Sequence, residues 1–122
     1  MTTYTLAASS LDCSDPGPLA DFWAALLGGE VAFSSEDFVG VKHARGWLAA
    51  IRVEGYEPPT WPGGDRPKQL HLDVSVDDLD VAQARAVELG ATAPANQPQP
   101  DRWRVLLDPA GHPFCLTTQI PD

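Results

Sequence analysis

His71, Asp73 and Ser75 alternate with Leu70, Leu72, Val74 and Val76 in the stretch QLHLDVSVDD, residues 69–78. This period-two pattern gives a strand with an imidazole, a carboxylate and a hydroxyl on one face and apolar groups on the other. An imidazole on a strand that faces a cleft titrates near neutrality and serves as base, hydrogen-bond donor or metal ligand. His71 is therefore the candidate catalytic group, with a histidine satisfied by its own neighbours as the alternative of equal weight. Asp73 stands on the same face. Cys115, within HPFCLTTQI, adds a thiol. A thiolate–imidazole nucleophile needs hydrogen-bond geometry and a lowered thiol pKa, so a buried structural thiol is the simpler expectation.

Cys13 and Cys115 lie far apart, each inside an apolar strand pattern and outside C-x-x-C spacing, which predicts reduced thiols. Trp47, Trp103, Arg52 and Arg104 fall on strands, where alternation places each inside a cavity or outside it. His71, Asp73, Trp47, Trp103, Arg104 and Cys115 form the candidate ligand-binding set, since large aromatics with a few polar groups suit a small organic ligand. Core packing explains the aromatics equally well. His112 belongs to a turn and His43 precedes one. Trp61, in a proline- and glycine-rich stretch, is exposed filler, a lid over a cavity or a partner contact, three readings of equal weight.

A scaffold that positions these groups is written twice. Residues 4–13, YTLAASSLDC, read as a strand; Asp15 then caps a helix with Pro16 at its first position, where a missing N–H costs nothing. Leu19, Phe22, Trp23, Leu26 and Leu27 make one apolar stripe on that helix, and Gly28 and Gly29 end it. EVAFSSED, FVGVKHA and GWLAAIRVEG follow as an antiparallel meander with a hairpin turn at Ala44–Gly46. The second copy begins at Gln69, runs into Asp77 and Asp78 as caps, continues as a helix at about 78–89 closed by Gly90, and ends in three strands: one in ATAPANQPQP, then DRWRVLLD and HPFCLTTQI as a hairpin. The expected fold is α+β, two βαβββ modules with curled mixed sheets enclosing a cleft. Module one spans residues 1–54, a linker 55–67 and module two 68–122 within one domain, and a half that cannot close its own sheet implies a shared core.

Eight basic against seventeen acidic residues give a net charge of −9 without a Lys/Arg cluster, which argues against nucleic acid and anionic membranes as partners. Solubility is the plain reading of this acidity. No apolar run approaches the roughly 20 residues that span a bilayer. MTTYTLAASS lacks a basic segment followed by a long apolar one, so a cytoplasmic protein is the default expectation.

LDCSDPGPLADFWAALLG, QLHLDVSVDDLDVAQARAVELGA and the terminal WRVLLDPAGHPFCL, taken together, resemble the vicinal oxygen chelate superfamily of glyoxalase I, extradiol dioxygenases and bleomycin- and fosfomycin-resistance proteins. The resemblance covers nearly the whole chain and is strongest to small bacterial glyoxalase-like proteins. It implies paired modules around a cavity, often a homodimer, and in metal-dependent members ligands from the first and last strands of each module. His71 occupies the first-strand position of module two. Its counterpart in module one is Ala8, counting back from Asp15, or Ser10, aligning LDCS with LDVS. Cys115 replaces the last-strand carboxylate of module two, and module one offers Ala50 or Ile51 there. A useful metal site needs three or more protein ligands, so His71 and Cys115 would need a recruited donor such as Asp73 or His112. The expectation is a small-molecule binder of the bleomycin-resistance type without a cofactor. The alternatives are a lyase, isomerase or dioxygenase that uses His71 and a divalent metal, and a domain that has lost its site and serves in association.

Overall fold

A computed structural model describes residues 2–61 and 63–121. The chain divides into two compact units, Met1–Tyr56 and Glu57–Asp122. In the first, β1 (Ala8–Cys13), α1 (Pro16–Leu27), β2 (Glu30–Ser34), β3 (Phe38–His43) and β4 (Gly46–Arg52) follow one another as βαβββ. The sheet order is β1-β4-β3-β2, with β1 parallel to β4 and the other neighbours antiparallel. Leu19, Phe22 and Trp23 of α1 are buried together with Val39, Val41, Leu48 and Ala50, which share the helix-facing side of the sheet. β1 begins later than the expected Tyr4, because Ala8 pairs with Trp47 and the partner strand turns away at Gly46. Tyr4 and Leu6 are 90% and 91% exposed.

Helix ends follow the local chemistry. Asp15 occupies the N-cap position of α1 in extended conformation, yet its side chain makes no capping bond. Pro16 and Pro18 carry no N–H, so few orphan donors remain for it to satisfy. Asp78, by contrast, accepts a hydrogen bond from Val81 N–H at 3.1 Å and caps α2 (Leu79–Leu89). Gly28 closes α1 with φ 66, a left-handed conformation that glycine reaches without cost. Gly29 is required for space, since a Cβ there would fall 2.4 Å from the Lys42 carbonyl oxygen.

The second unit holds β5 (Leu72–Ser75), α2, β6 (Trp103–Leu107) and β7 (Pro113–Thr117), in sheet order β5-β7-β6. β5 runs parallel to β7 and β6 antiparallel to it, the arrangement of the first sheet. The strand expected in ATAPANQPQP is a single bridge between Thr92 and Leu107. Pro94, Pro98 and Pro100 cannot donate to a ladder, and the outer edge of β6 is satisfied piecemeal. Leu107 N–H donates to Thr92 O and Thr92 N–H returns the bond, while Trp103 N–H donates to Gln99 O. At Val105 between them the Gln97 side-chain amide takes the place of a strand, accepting from Val105 N–H at 2.8 Å and donating to Val105 O at 2.9 Å. β5 is also shorter than the expected run. Its ladder stops at Leu72 opposite Phe114, and the next partner, Pro113, has no N–H to offer.

Leu106, Phe114 and Leu116 are buried on the α2 side of this sheet. No helix among the described residues is long and apolar enough to cross a membrane.

Candidate functional site

Register and alternation decide which side chains share the face turned away from α2. Asp73, Cys115 and Val105 form one row across β5, β7 and β6, and Ser75, Thr117 and Trp103 the next. This face lines a cavity of about 470 Å³ within the second unit, walled further by Trp61, Lys68, His71 and Ile120. A volume of that order suits a small organic molecule. Trp61, whose role the sequence left open, is half-buried in its wall.

At the β5 end of the cavity His71, Asp73 and Cys115 offer one imidazole nitrogen, one carboxylate oxygen and one thiol sulfur, all within 4.8 Å of one another. His71 Nε2 lies 3.4 Å from Asp73 Oδ1, an ion pair whenever the ring is protonated, with both side chains partly open to solvent. Burial pushes the Cys115 thiol above its ordinary pKa, and the negative charge of Asp73 pushes it the same way; the Lys68 ammonium acts against them, and a hydrogen bond to Asp73 adds to the upward shift. At neutral pH Cys115 is therefore a thiol. An activated cysteine needs the reverse, a thiolate stabilised by cationic neighbours, so the cluster is not a nucleophile paired with its base.

The same three donors fit a divalent metal of borderline softness. Zinc bonds of about 2.0–2.3 Å put donor atoms around one ion roughly 3.3–4 Å apart, so binding would draw the three somewhat closer together. Three protein donors with one position left open is the number that ligand-accepting zinc sites use. A cation in their midst would also reverse the local charge balance that now keeps the thiol protonated.

Of the other expected residues, Trp103 lines the cavity as well, and the rest lie elsewhere. Trp47 belongs to the first unit, on the sheet face away from α1, with the Lys42 ammonium 5.1 Å above its ring. Arg104, one residue out of phase with Trp103 and Val105, points to α2 instead: its guanidinium donates to Asp80 Oδ1 and Gln83 Oε1, each at 2.9 Å, and to Pro100 O. It ties helix to sheet and does not reach the cavity. His112 holds a turn, its N–H donating to Asp108 Oδ1, which also accepts from Ala110 N–H. Arg52 pairs with Glu36 at 3.3 Å. Lys68 and Thr117 were not foreseen; the alternation of Pro113, Cys115 and Thr117 along β7 carried the signal for the latter.

The profile of the glyoxalase-like domain family matches residues 8–117. The chain belongs to this family. The vicinal oxygen chelate superfamily that its motifs resemble is thereby its own, and solved structures agree in fold. The fosfomycin resistance protein FosX from Listeria monocytogenes, complexed with Mn(II) and 1S,2S-dihydroxypropylphosphonic acid, matches with a TM-score of 0.72 at 17% identity, over 98% of this chain and 95% of that one. The bleomycin-binding protein from Streptomyces verticillus, complexed with copper(II)-bleomycin, matches with a TM-score of 0.62 at 22% identity, over 98% and 100%. A glyoxalase-related enzyme from Fulvimarina pelagi matches with a TM-score of 0.66 at 20% identity, over 94% and 88%. No curated protein sequence matches the chain. Within the glyoxalase-like family the register also bears on the counterpart of Cys115. With the N-caps Asp15 and Asp78 aligned, Asp73 corresponds to Ser10, and Ser10 pairs with Ala49 as Asp73 pairs with Cys115. This alignment leads to Ala49, whereas aligning LDCS with LDVS puts Asp12 at the Asp73 position and leads to its partner Ile51.

Proposed function

We propose that this glyoxalase-like protein binds a small organic molecule in the cavity of its second unit, in the manner of the bleomycin-binding protein and without a catalytic metal. The observation that carries the reading is the cavity itself, about 470 Å³ walled by Trp61 and Trp103 and ending in His71, Asp73 and Cys115. Indole rings supply broad apolar contact at low entropic cost, and the polar end orients the ligand. A fluorescence titration with a small-molecule library, backed by thermal shift, tests it: a ligand should quench tryptophan emission and raise the melting temperature by mass action. Trp61→Ala and Trp103→Ala should each weaken binding about fivefold or more, since removing an aromatic anchor costs on the order of 1–3 kcal/mol. A ligand whose affinity neither substitution changes would place binding elsewhere. Belonging to the same reading are a cytoplasmic location and a homodimer, the latter to be checked by sedimentation velocity.

A second reading rests on the convergence of His71, Asp73 and Cys115. These three would hold a divalent ion, and the ion would polarise an oxygen of the substrate as a Lewis acid. The chain would then be a glyoxalase-like lyase, isomerase or dioxygenase; a structure of the same fold, FosX, is complexed with Mn(II). Metal content per chain decides between the two readings, measured on protein purified without chelator and re-equilibrated with zinc, nickel, manganese and iron(II). Near-stoichiometric metal that His71→Ala abolishes would overturn the metal-free binder.

A further inference from the structure

Lys68 stands half-buried in the wall of the cavity that Trp61, Trp103 and Cys115 also line. Acidic residues outnumber basic ones seventeen to eight in this chain, so carboxylates were plentiful as partners. Arg52, Arg66, Arg85 and Arg104 each have one, and Lys42 lies over the Trp47 ring. Lys68 has no ion-pair partner among the described residues. The carboxylate inside the same cavity, Asp73, is engaged by His71 at 3.4 Å and by the Cys115 thiol. Lys68 belongs to the lining of the cavity itself, and its charge acts on Cys115 in the same lining. A cation partly withdrawn from water and without an ion-pair partner of its own lacks the contact that offsets desolvation.

We propose that the cavity is selective for small organic anions, molecules with a flat or apolar body that lies against Trp61 and Trp103 and one carboxylate, phosphonate or phosphate group that pairs with Lys68. The inference rests on the small-molecule-binding reading and adds the ligand class to it. It runs against what the surface charge suggests, since a chain of net charge −9 attracts cations at long range. That field is screened beyond about 8 Å at physiological ionic strength, whereas a contact inside the cavity is not, so Lys68 decides the preference. Lysine serves here as a point charge that accepts carboxylate and phosphoryl geometries alike.

Matched pairs of ligands test the proposal on the full chain treated with EDTA, so that an anion held on a metal does not count. Naphthoate, indole acetate and phenylphosphonate are each titrated beside the neutral amide or ester of the same skeleton, by tryptophan fluorescence and calorimetry. Acids should bind about ten- to hundredfold tighter than their neutral partners, the range of a charge-assisted hydrogen bond. In Lys68→Met the preference should fall to within about twofold, and Lys68→Arg should retain most of it. Neutral analogues that bind as tightly as the acids would overturn the selectivity while leaving the binding reading standing. A preference that survives Lys68→Met would also overturn it, because the anion would then be held by another group. If neither acids nor neutral analogues quench the tryptophans, the anion selectivity fails, and the binding reading is judged by the library titration alone.

Discussion

Gln97 gives the sharpest test of how the second unit is held together. Its side-chain amide accepts from Val105 N–H at 2.8 Å and donates to Val105 O and Pro94 O, each at 2.9 Å. Val105 is 6% exposed. Truncation of Gln97 to alanine therefore strands a buried backbone N–H and C=O, and each orphaned group costs about 1–3 kcal/mol. The expected loss for Gln97→Ala is about 2–6 kcal/mol, a large share of the roughly 5–15 kcal/mol by which domains of this size are stable. In urea titrations the m-value should hold while the midpoint falls by about 1.3–4 M, taking m near 1.5 kcal/mol/M. Gln99→Ala is the control, for Gln99 contributes its backbone carbonyl to Arg102 and Trp103. It should stay within about 0.5 kcal/mol of the wild type. A Gln97→Ala protein no less stable than Gln99→Ala would refute the idea that a side chain stands in for the missing strand.

Three further outcomes are expected. Gly29→Ala should destabilise by about 2 kcal/mol or more, because its Cβ would meet the Lys42 carbonyl oxygen at 2.4 Å and the backbone has to shift; Gly28→Ala, at φ 66 with nothing within 4 Å, should cost only about 1 kcal/mol by the same unfolding measurement. Phe114→Ala, at a side chain packed between sheet and α2, should cost about 3–5 kcal/mol in denaturant titration. Burial and Asp73 raise the Cys115 pKa in the folded state, so the stability linked to it is fully present below the unfolded thiol's pKa and is lost as pH climbs through the higher folded value. Unfolding midpoints should accordingly decline on the alkaline side of about pH 8.5, less so in Asp73→Asn, and Cys115 should react with a disulfide reagent more slowly than a free thiol at neutral pH.

Periodicity made the helices and most strands legible, since Leu19, Phe22 and Trp23 on α1 and the alternation around Asp73 state their own faces. The end of β5 was less legible, because it depends on Pro113, a residue some forty positions away in sequence that comes alongside only through β7. The missing strand after α2 was signalled by its prolines, but that Gln97 would fill the gap depends on the side-chain path. For the site, His71, Asp73, Cys115 and Trp103 follow from strand parity. Arg104 carries the opposite parity to Trp103, and charge alone drew it into the expected set. Lys68 lies outside the strands, between β4 and β5, and has no periodic context, so only folding reveals that it lines the cavity.

The two modules repeat one topology and divide the chemistry unequally. Where module two has His71, Asp73 and Cys115, the aligned positions of module one are Ala8, Ser10 and Ala49. The corresponding face of the first sheet carries Phe33 and Phe38, with ring centroids 5.5 Å apart, and Trp47, whose ring lies 3.6 Å from a Cβ built on Gly40. That face offers aromatic surface and no metal donor at these three positions. With the N-caps aligned, the clustered donors at these positions belong to module two, at one end of a three-stranded sheet, and they include a thiol. A thiolate prefers softer cations than a carboxylate does. If metal is recruited, zinc should outcompete manganese at this site, and Cys115→Glu should shift the preference back toward manganese.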